Sequence, residues 1–230
     1  TLNTIMAEEL EQFADELEGS ADFQADLEKL IRRVFTEHQR IIFNGNGYDE
    51  AWIAEAEKRG LSNLVSAADA LPMYTAPKNM DLFIKHGIYT KEEIEARAEI
   101  HIENYTTVIC IEARTMADMI RRQILPAVSA FAGDLCARAG AKKEMSVYCQ
   151  YEANTAYQIG CLTDALMAAC DRLEMDLAAV PAEAATAMRY SHDVLIPDME
   201  EARKSADQLE TLTGSDRWPF PTYSDLLFSV

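Results

Sequence analysis

The sequence predicts an all-α fold: a long antiparallel three-helix bundle preceded by a smaller helical region and followed by a docked aromatic tail. Apolar residues recur every three to four positions over most of the chain, glycine and proline fall between those runs, and no stretch alternates apolar with polar residues as a half-buried strand does. Hydrophobic residues make up 49% of the 230, enough for a real core. The expected division is residues 1–87 as a short-helix region, 88–214 as the bundle and 215–230 as the tail.

Leu2, Ile5, Met6, Leu10, Phe13 and Leu17 form the apolar face of a first helix, closed at Gly19, where a left-handed cap is cheap. Domains seldom open in mid-pattern, so a chain beginning at Thr1 reads as a piece of a longer polypeptide. A second helix is expected from about Ala21 to Ile42, with Phe23, Leu27, Leu30, Ile31, Val34 and Phe35 inward. Gly45 and Gly47 make a turn, and Asp49 caps a short helix that ends at Gly60. Pro72, Pro77 and Gly87 then break the chain into short pieces.

Thr90 and Glu93 form a capping box, each able to bond the other's backbone amide. The helix they open should stop firmly only at Gly140 and could approach ~70 Å. Ile94, Ala98, Ile102, Tyr105, Ile109, Ala113, Met116, Ile120, Ile124 and Ala127 trace one face of it, with a kink expected at Pro126. A second long helix spans about Lys142 to Ala179 along Thr155, Ile159, Leu162, Leu166, Ala169 and Leu173. The third is expected to start at Pro181, along Met188, His192, Leu195, Met199, Ala202, Ala206 and Leu209, kinked near Pro197. Tight turns force the three to run up, down and up. In the tail, Trp218, Phe220, Tyr223 and Phe228 carry too much apolar surface to stay free, so it should dock.

The formal charge of −18, from 39 acids against 21 bases, repels phosphate backbones and anionic lipid surfaces, so no nucleic-acid or membrane partner is expected. No apolar run has the length of a membrane span. Cys110, Cys136, Cys149, Cys161 and Cys170 show no C-x-x-C spacing and read as buried, reduced thiols of a cytoplasmic protein.

Constellations that would carry chemistry are weak. His38, His86, His101 and His192 include no metal-binding pair, and His192 reads as a core or seam-edge residue. Gly45-Asn46-Gly47 lacks the Gly-Lys-Ser/Thr of a phosphate loop. The pairs Glu8-Glu9, Glu92-Glu93 and Glu200-Glu201 read as solvated helix faces, while Glu112 and Asp118 have counter-charges in Arg114, Arg121 and Arg122. We therefore assign no catalytic, cofactor-binding or metal-binding residue. On these residues alone the chain is either a part of a larger protein or a free-standing acidic helical adaptor for a partner protein.

Several strings together resemble the C-terminal region of type III glutamine synthetases: Leu2-Asn-Thr-Ile5, Ala7-Glu-Glu-Leu10, Ile42-Phe-Asn-Gly-Asn-Gly-Tyr48, Ala56-Glu-Lys-Arg-Gly-Leu61 and Trp218-Pro-Phe-Pro-Thr-Tyr223. Shorter matches lie at Glu103-Asn-Tyr105, Ile111-Glu-Ala113 and between Thr115 and Pro126. The resemblance implies a cytoplasmic parent that ligates ammonia to glutamate with ATP and Mg2+ or Mn2+. It implies that residues 1–87 continue from a missing catalytic domain, and that the partners are the rest of the chain and neighbouring subunits of a homo-oligomer of stacked hexameric rings. The family's catalytic motifs have no counterpart here, so the fragment itself should be non-catalytic and serve assembly or regulation.

Overall fold

The computed structural model describes residues 1–221 and 223–228, the side chains of residues 223, 224 and 228 excepted. No strand occurs among the described residues. The chain separates into two compact units, Thr1–His101 and Ile102–Val230. The division falls inside the long helix rather than at the turn around Gly87.

The first unit is made of short elements. Helix α1 (Leu2–Leu17) ends as its pattern requires, with Gly19 in the left-handed region at φ +82°. Helix α2 (Phe23–Glu37), capped by Asp22, is shorter than expected and hands over to a 3-10 turn at Gln39–Ile41. Asp49 caps α3 (Glu50–Lys58) as expected, accepting from the Ala51 amide. Then follow α4 (Ala67–Ala70), a 3-10 turn at Leu71–Thr75 and α5 (Pro77–Lys85). Little of this unit is buried: Leu30, Ala68, Phe83, Ile94 and Ala98 are its inner apolar residues. Phe83 sits between the rings of Tyr74 and Tyr89, at 6.2 and 5.7 Å between centroids.

The capping box forms: the Glu93 amide donates to Thr90 Oγ1 and the Thr90 amide to Glu93 Oε2. Helix α6 (Lys91–Met119), a π-helical turn (Ile120–Ile124) and α7 (Leu125–Glu144) then run on without a break for 54 residues, about 80 Å at helical rise. The π turn explains how Pro126 is tolerated. Proline has no amide to donate, and its ring would strike the carbonyl one turn back. Widening that turn, so that the Leu125 amide bonds Ile120 instead, takes up the misfit. Gly140 does not stop the helix, which continues to Glu144. A glycine inside a helix costs only about 1 kcal/mol, and the Lys142–Glu152 ion pair holds this last turn to the next helix. The stop comes at Ser146, a left-handed residue at φ 57°.

Helix α8 (Gln150–Ala178) returns antiparallel, since Lys142 meets Glu152 at one end and Arg121 meets Asp171 and Glu174 at the other. The third helix starts later than expected: Pro181 stays in the connection, and Glu183 caps α9 (Ala184–Tyr190) through the Ala185 and Thr186 amides. A second π turn (Ser191–Leu195) precedes Pro197, as the first precedes Pro126, and leads into α10 (Ile196–Leu212). The three seams meet in one core around Ala113, Val128, Ile159, Leu166, Leu173, Leu195 and Leu209. Trp218 and Phe220 pack against that core, while Leu227 in α11 (Tyr223–Phe228) stays exposed. The Tyr223 and Phe228 side chains lie outside the described residues.

Candidate functional site

The expected inner face of α1 and α2 is only partly inside: Leu30 is buried and Phe13, Leu17, Leu27 and Val34 are half-buried, but the rest is not. Leu2, Met6, Leu10, Phe23 and Phe35 are each more than half exposed, and Ile5, Ile31, Ile41 and Ile42 are only partly covered. Periodicity correctly made these residues one side of a helix, but it says nothing about what covers that side. Exposed apolar side chains in this number on two helices are what an interaction surface presents. At its edge, Phe43 stacks on Trp52 at 4.0 Å, and Arg59 lies over the same indole while donating to the Arg40 and Ile42 carbonyls. That cluster fixes the loop of Gly45 and Gly47. A Cβ on Gly45 would stand 2.5 Å from the Phe43 ring, so a side chain there would force the ring to move. Beyond it Tyr48 projects fully exposed.

Residues far apart in sequence also gather where none was assigned a role. Glu8 and Glu11 of α1 meet Lys85 and His86 at the end of α5. Lys85 Nζ lies 2.8 Å from Glu8 and 2.9 Å from Glu11, and His86 Nε2 lies 2.7 Å from Glu8. Hydrogen bonds from Lys85, Gln12 and His86 lower the Glu8 carboxyl to about 2. The expectation of a solvated face at Glu8 is thus corrected: its side chain clasps α1 to α5. Glu8, Glu11 and His86 bring ligand atoms within 4.8 Å of one another, a spacing a metal ion could bridge. The Lys85 ammonium already supplies the positive charge between those carboxylates. Only the separation along the chain hid this cluster from sequence reasoning.

In the second unit the charges pair partly as expected. Asp118 takes Arg122 at 2.7 Å, one turn along, but Arg121 crosses to Asp171 and Glu174 of α8. The wide turn at Ile120–Ile124 carries Arg121. His192 lies at the seam edge, with Nδ1 2.6 Å from Asp193. Cys110 and Cys170 are buried, whereas Cys136 and Cys161 are exposed and Cys149 half-buried, which corrects the expectation that all five are interior. A cavity of about 500 Å³ opens between Met116, Ile120, Ile124, Ala206, Trp218 and Phe220. Among the described residues no helix is long and apolar enough to cross a membrane.

Lys85 offsets the clasp carboxylates, the cavity is lined by Glu112, Arg203, Asp207 and Glu210 beside its apolar residues, and Arg59 at the glycine loop is engaged with backbone carbonyls.

A family model described as the glutamine synthetase C-terminal domain matches residues 26–143. A glutamine synthetase of Butyrivibrio fibrisolvens is 34% identical over 213 residues, covering 91% of this chain and 30% of that protein. A type-3 glutamine synthetase of Dictyostelium discoideum is 30% identical over 99% of the chain and 32% of its own length. A glutamine synthetase of Bacteroides fragilis (strain YCH46) is 27% identical, again over 99% of the chain and 33% of its own length. The chain therefore spans about a third of the length of the curated relatives it matches.

Proposed function

The chain belongs to the glutamine synthetase family, as the C-terminal domain of a type III member, and from that premise we propose that it is the assembly or regulatory part of a larger ligase. In this reading the parent joins ammonia to glutamate with ATP and Mg2+ or Mn2+, all bound on portions outside this chain. The parent is cytoplasmic and homo-oligomeric, built as stacked hexameric rings, and the helices here brace it without touching the reacting atoms.

The observation that carries the proposal is the exposed apolar face of α1 and α2 on a chain a third as long as its relatives. Apolar surface of that kind is stable in water only when another surface covers it, and in a longer parent the preceding part of the chain or a neighbouring subunit is at hand. The relatives' greater length also weighs against a free-standing acidic adaptor.

The test compares the full-length parent with a Phe35→Asp variant. Phe35 is exposed in this chain, so the substitution leaves the domain's own core intact. The expected result is smaller assemblies by light scattering, with glutamine formation reduced alongside. Intact assembly and unchanged turnover would overturn the assignment of this face. Glutamine formation by the 230-residue chain alone would overturn the non-catalytic reading.

A further inference from the structure

Little of the first unit is buried, and folds with a thin core are commonly stapled by a disulfide or a metal ion. Glu8 and Glu11 stand three residues apart on α1, so their carboxylates share one helix face. His86 caps the C-terminal end of α5, where Gly87, left-handed at φ +62°, turns the chain away. The imidazole Nε2 lies 2.7 Å from the Glu8 carboxylate and 3.8 Å from that of Glu11. Gln12 donates to Glu8 Oε1 at 2.8 Å, which holds Oε2 toward His86 and Lys85. The last carbonyls of α5 add the negative end of a helix dipole to the two acids.

We propose that Glu8, Glu11 and His86 are a three-ligand site for a divalent transition-metal ion of the Zn2+ kind, which displaces the Lys85 ammonium and staples α1 to α5. Zn2+ bonds imidazole nitrogen and carboxylate oxygen at about 2.0–2.2 Å, so ligand atoms around it stand about 3.3–3.5 Å apart. The separations of 2.7 and 3.8 Å bracket that value, and all three ligand atoms lie within 4.8 Å of one another. Lys85 Nζ, 2.8 Å from Glu8 and 2.9 Å from Glu11, shows where the two carboxylates draw a cation. Its side chain is half exposed on a flexible stem, so it withdraws into water at little cost. A doubly charged ion offsets both carboxylates and takes the imidazole as well. The ring proton then stands on Nδ1, leaving the Nε2 lone pair to the metal.

The imidazole sets the class of ion. Nitrogen suits Zn2+ and its neighbours in the first transition row, whereas Mg2+ and Ca2+ take oxygen. Three protein ligands leave a fourth position to water, and a cavity of about 660 Å³ lined by Glu8, Gln12, Tyr74, Asn79 and Lys85 opens beside the cluster. All three ligands lie within one compact unit, so the site stands whichever part the domain plays in its parent.

The test titrates zinc chloride into the 230-residue chain at neutral pH. Calorimetry should show a single tight ion per chain, with a higher melting temperature, and magnesium chloride at the same concentration should produce neither. His86→Gln and Glu11→Gln should each weaken zinc binding by about tenfold or more, and Gln12→Ala by about tenfold through the loosened carboxylate. Lys85→Gln removes the competing ammonium and should tighten binding, a gain that a misfolded chain does not give. Absence of stoichiometric zinc binding by the natural chain overturns the proposal, as does an equal response to magnesium. Affinity unchanged in His86→Gln also overturns it, and would put the zinc on the exposed thiols of Cys136 or Cys161. If His86→Gln fails to fold, Lys85→Gln decides: tighter binding supports the site, and unchanged or weaker binding rejects it.

Discussion

Glu8 shows how far single residues were legible. Its identity and helical position were plain, yet its partners, Lys85 and His86, are brought to it only by the packing of α5 against α1. The cluster makes a pH prediction. The Glu8 carboxyl lies at about 2 in the folded chain against an ordinary 4.5, so over that interval the unfolded chain binds more protons. The stability it confers is complete above about pH 4.5 and is lost as pH falls toward 2. Glu8→Gln should remove that part of the acid slope in melting temperature and leave the profile above pH 5 parallel to that of the natural chain. An identical acid limb in the two would show that the clasp does not hold α1 in solution. Gly45 was legible only as a turn residue, because its steric reason is the Phe43 ring folded back over it.

The elements were more readable than their surroundings, because caps and periodicity are local. The Gly19 terminus, the Asp49 cap and the Thr90–Glu93 box were all visible in the sequence, and each forms. Thr90→Ala should cost about 1 kcal/mol of stability, read as a lower urea midpoint at constant m-value, with Thr90→Ser recovering most of it. An unchanged midpoint would mean that the first turn of α6 is held by packing alone. Where the reading failed, tertiary contacts had overruled a local rule. Gly140 did not stop α7 because the Lys142–Glu152 pair lies beyond it. Pro126 and Pro197 did not bring mere kinks, because each is preceded by a π turn that removes the steric clash. Neither outcome has a signature in the residues themselves.

For the whole molecule, the seams of α6 through α10 converge on one core, so the inward faces of the second unit were correctly foreseen. The same logic placed Phe23, Ile31 and Phe35 inward in the first unit, where they are exposed. A helical pattern fixes which side is apolar; it does not say what covers that side. The uncovered face has a colloidal consequence. A chain of formal charge −18 is kept dispersed by mutual repulsion, even with greasy skin in view. That repulsion reaches only about 10 Å in 0.1 M salt and about 3 Å in 1 M. Dilute buffer should therefore give single particles by light scattering, and concentrated sodium chloride should drive them to clump. Phe35→Asp should move the onset of clumping to higher salt, and an onset unmoved by it would place the sticky patch elsewhere.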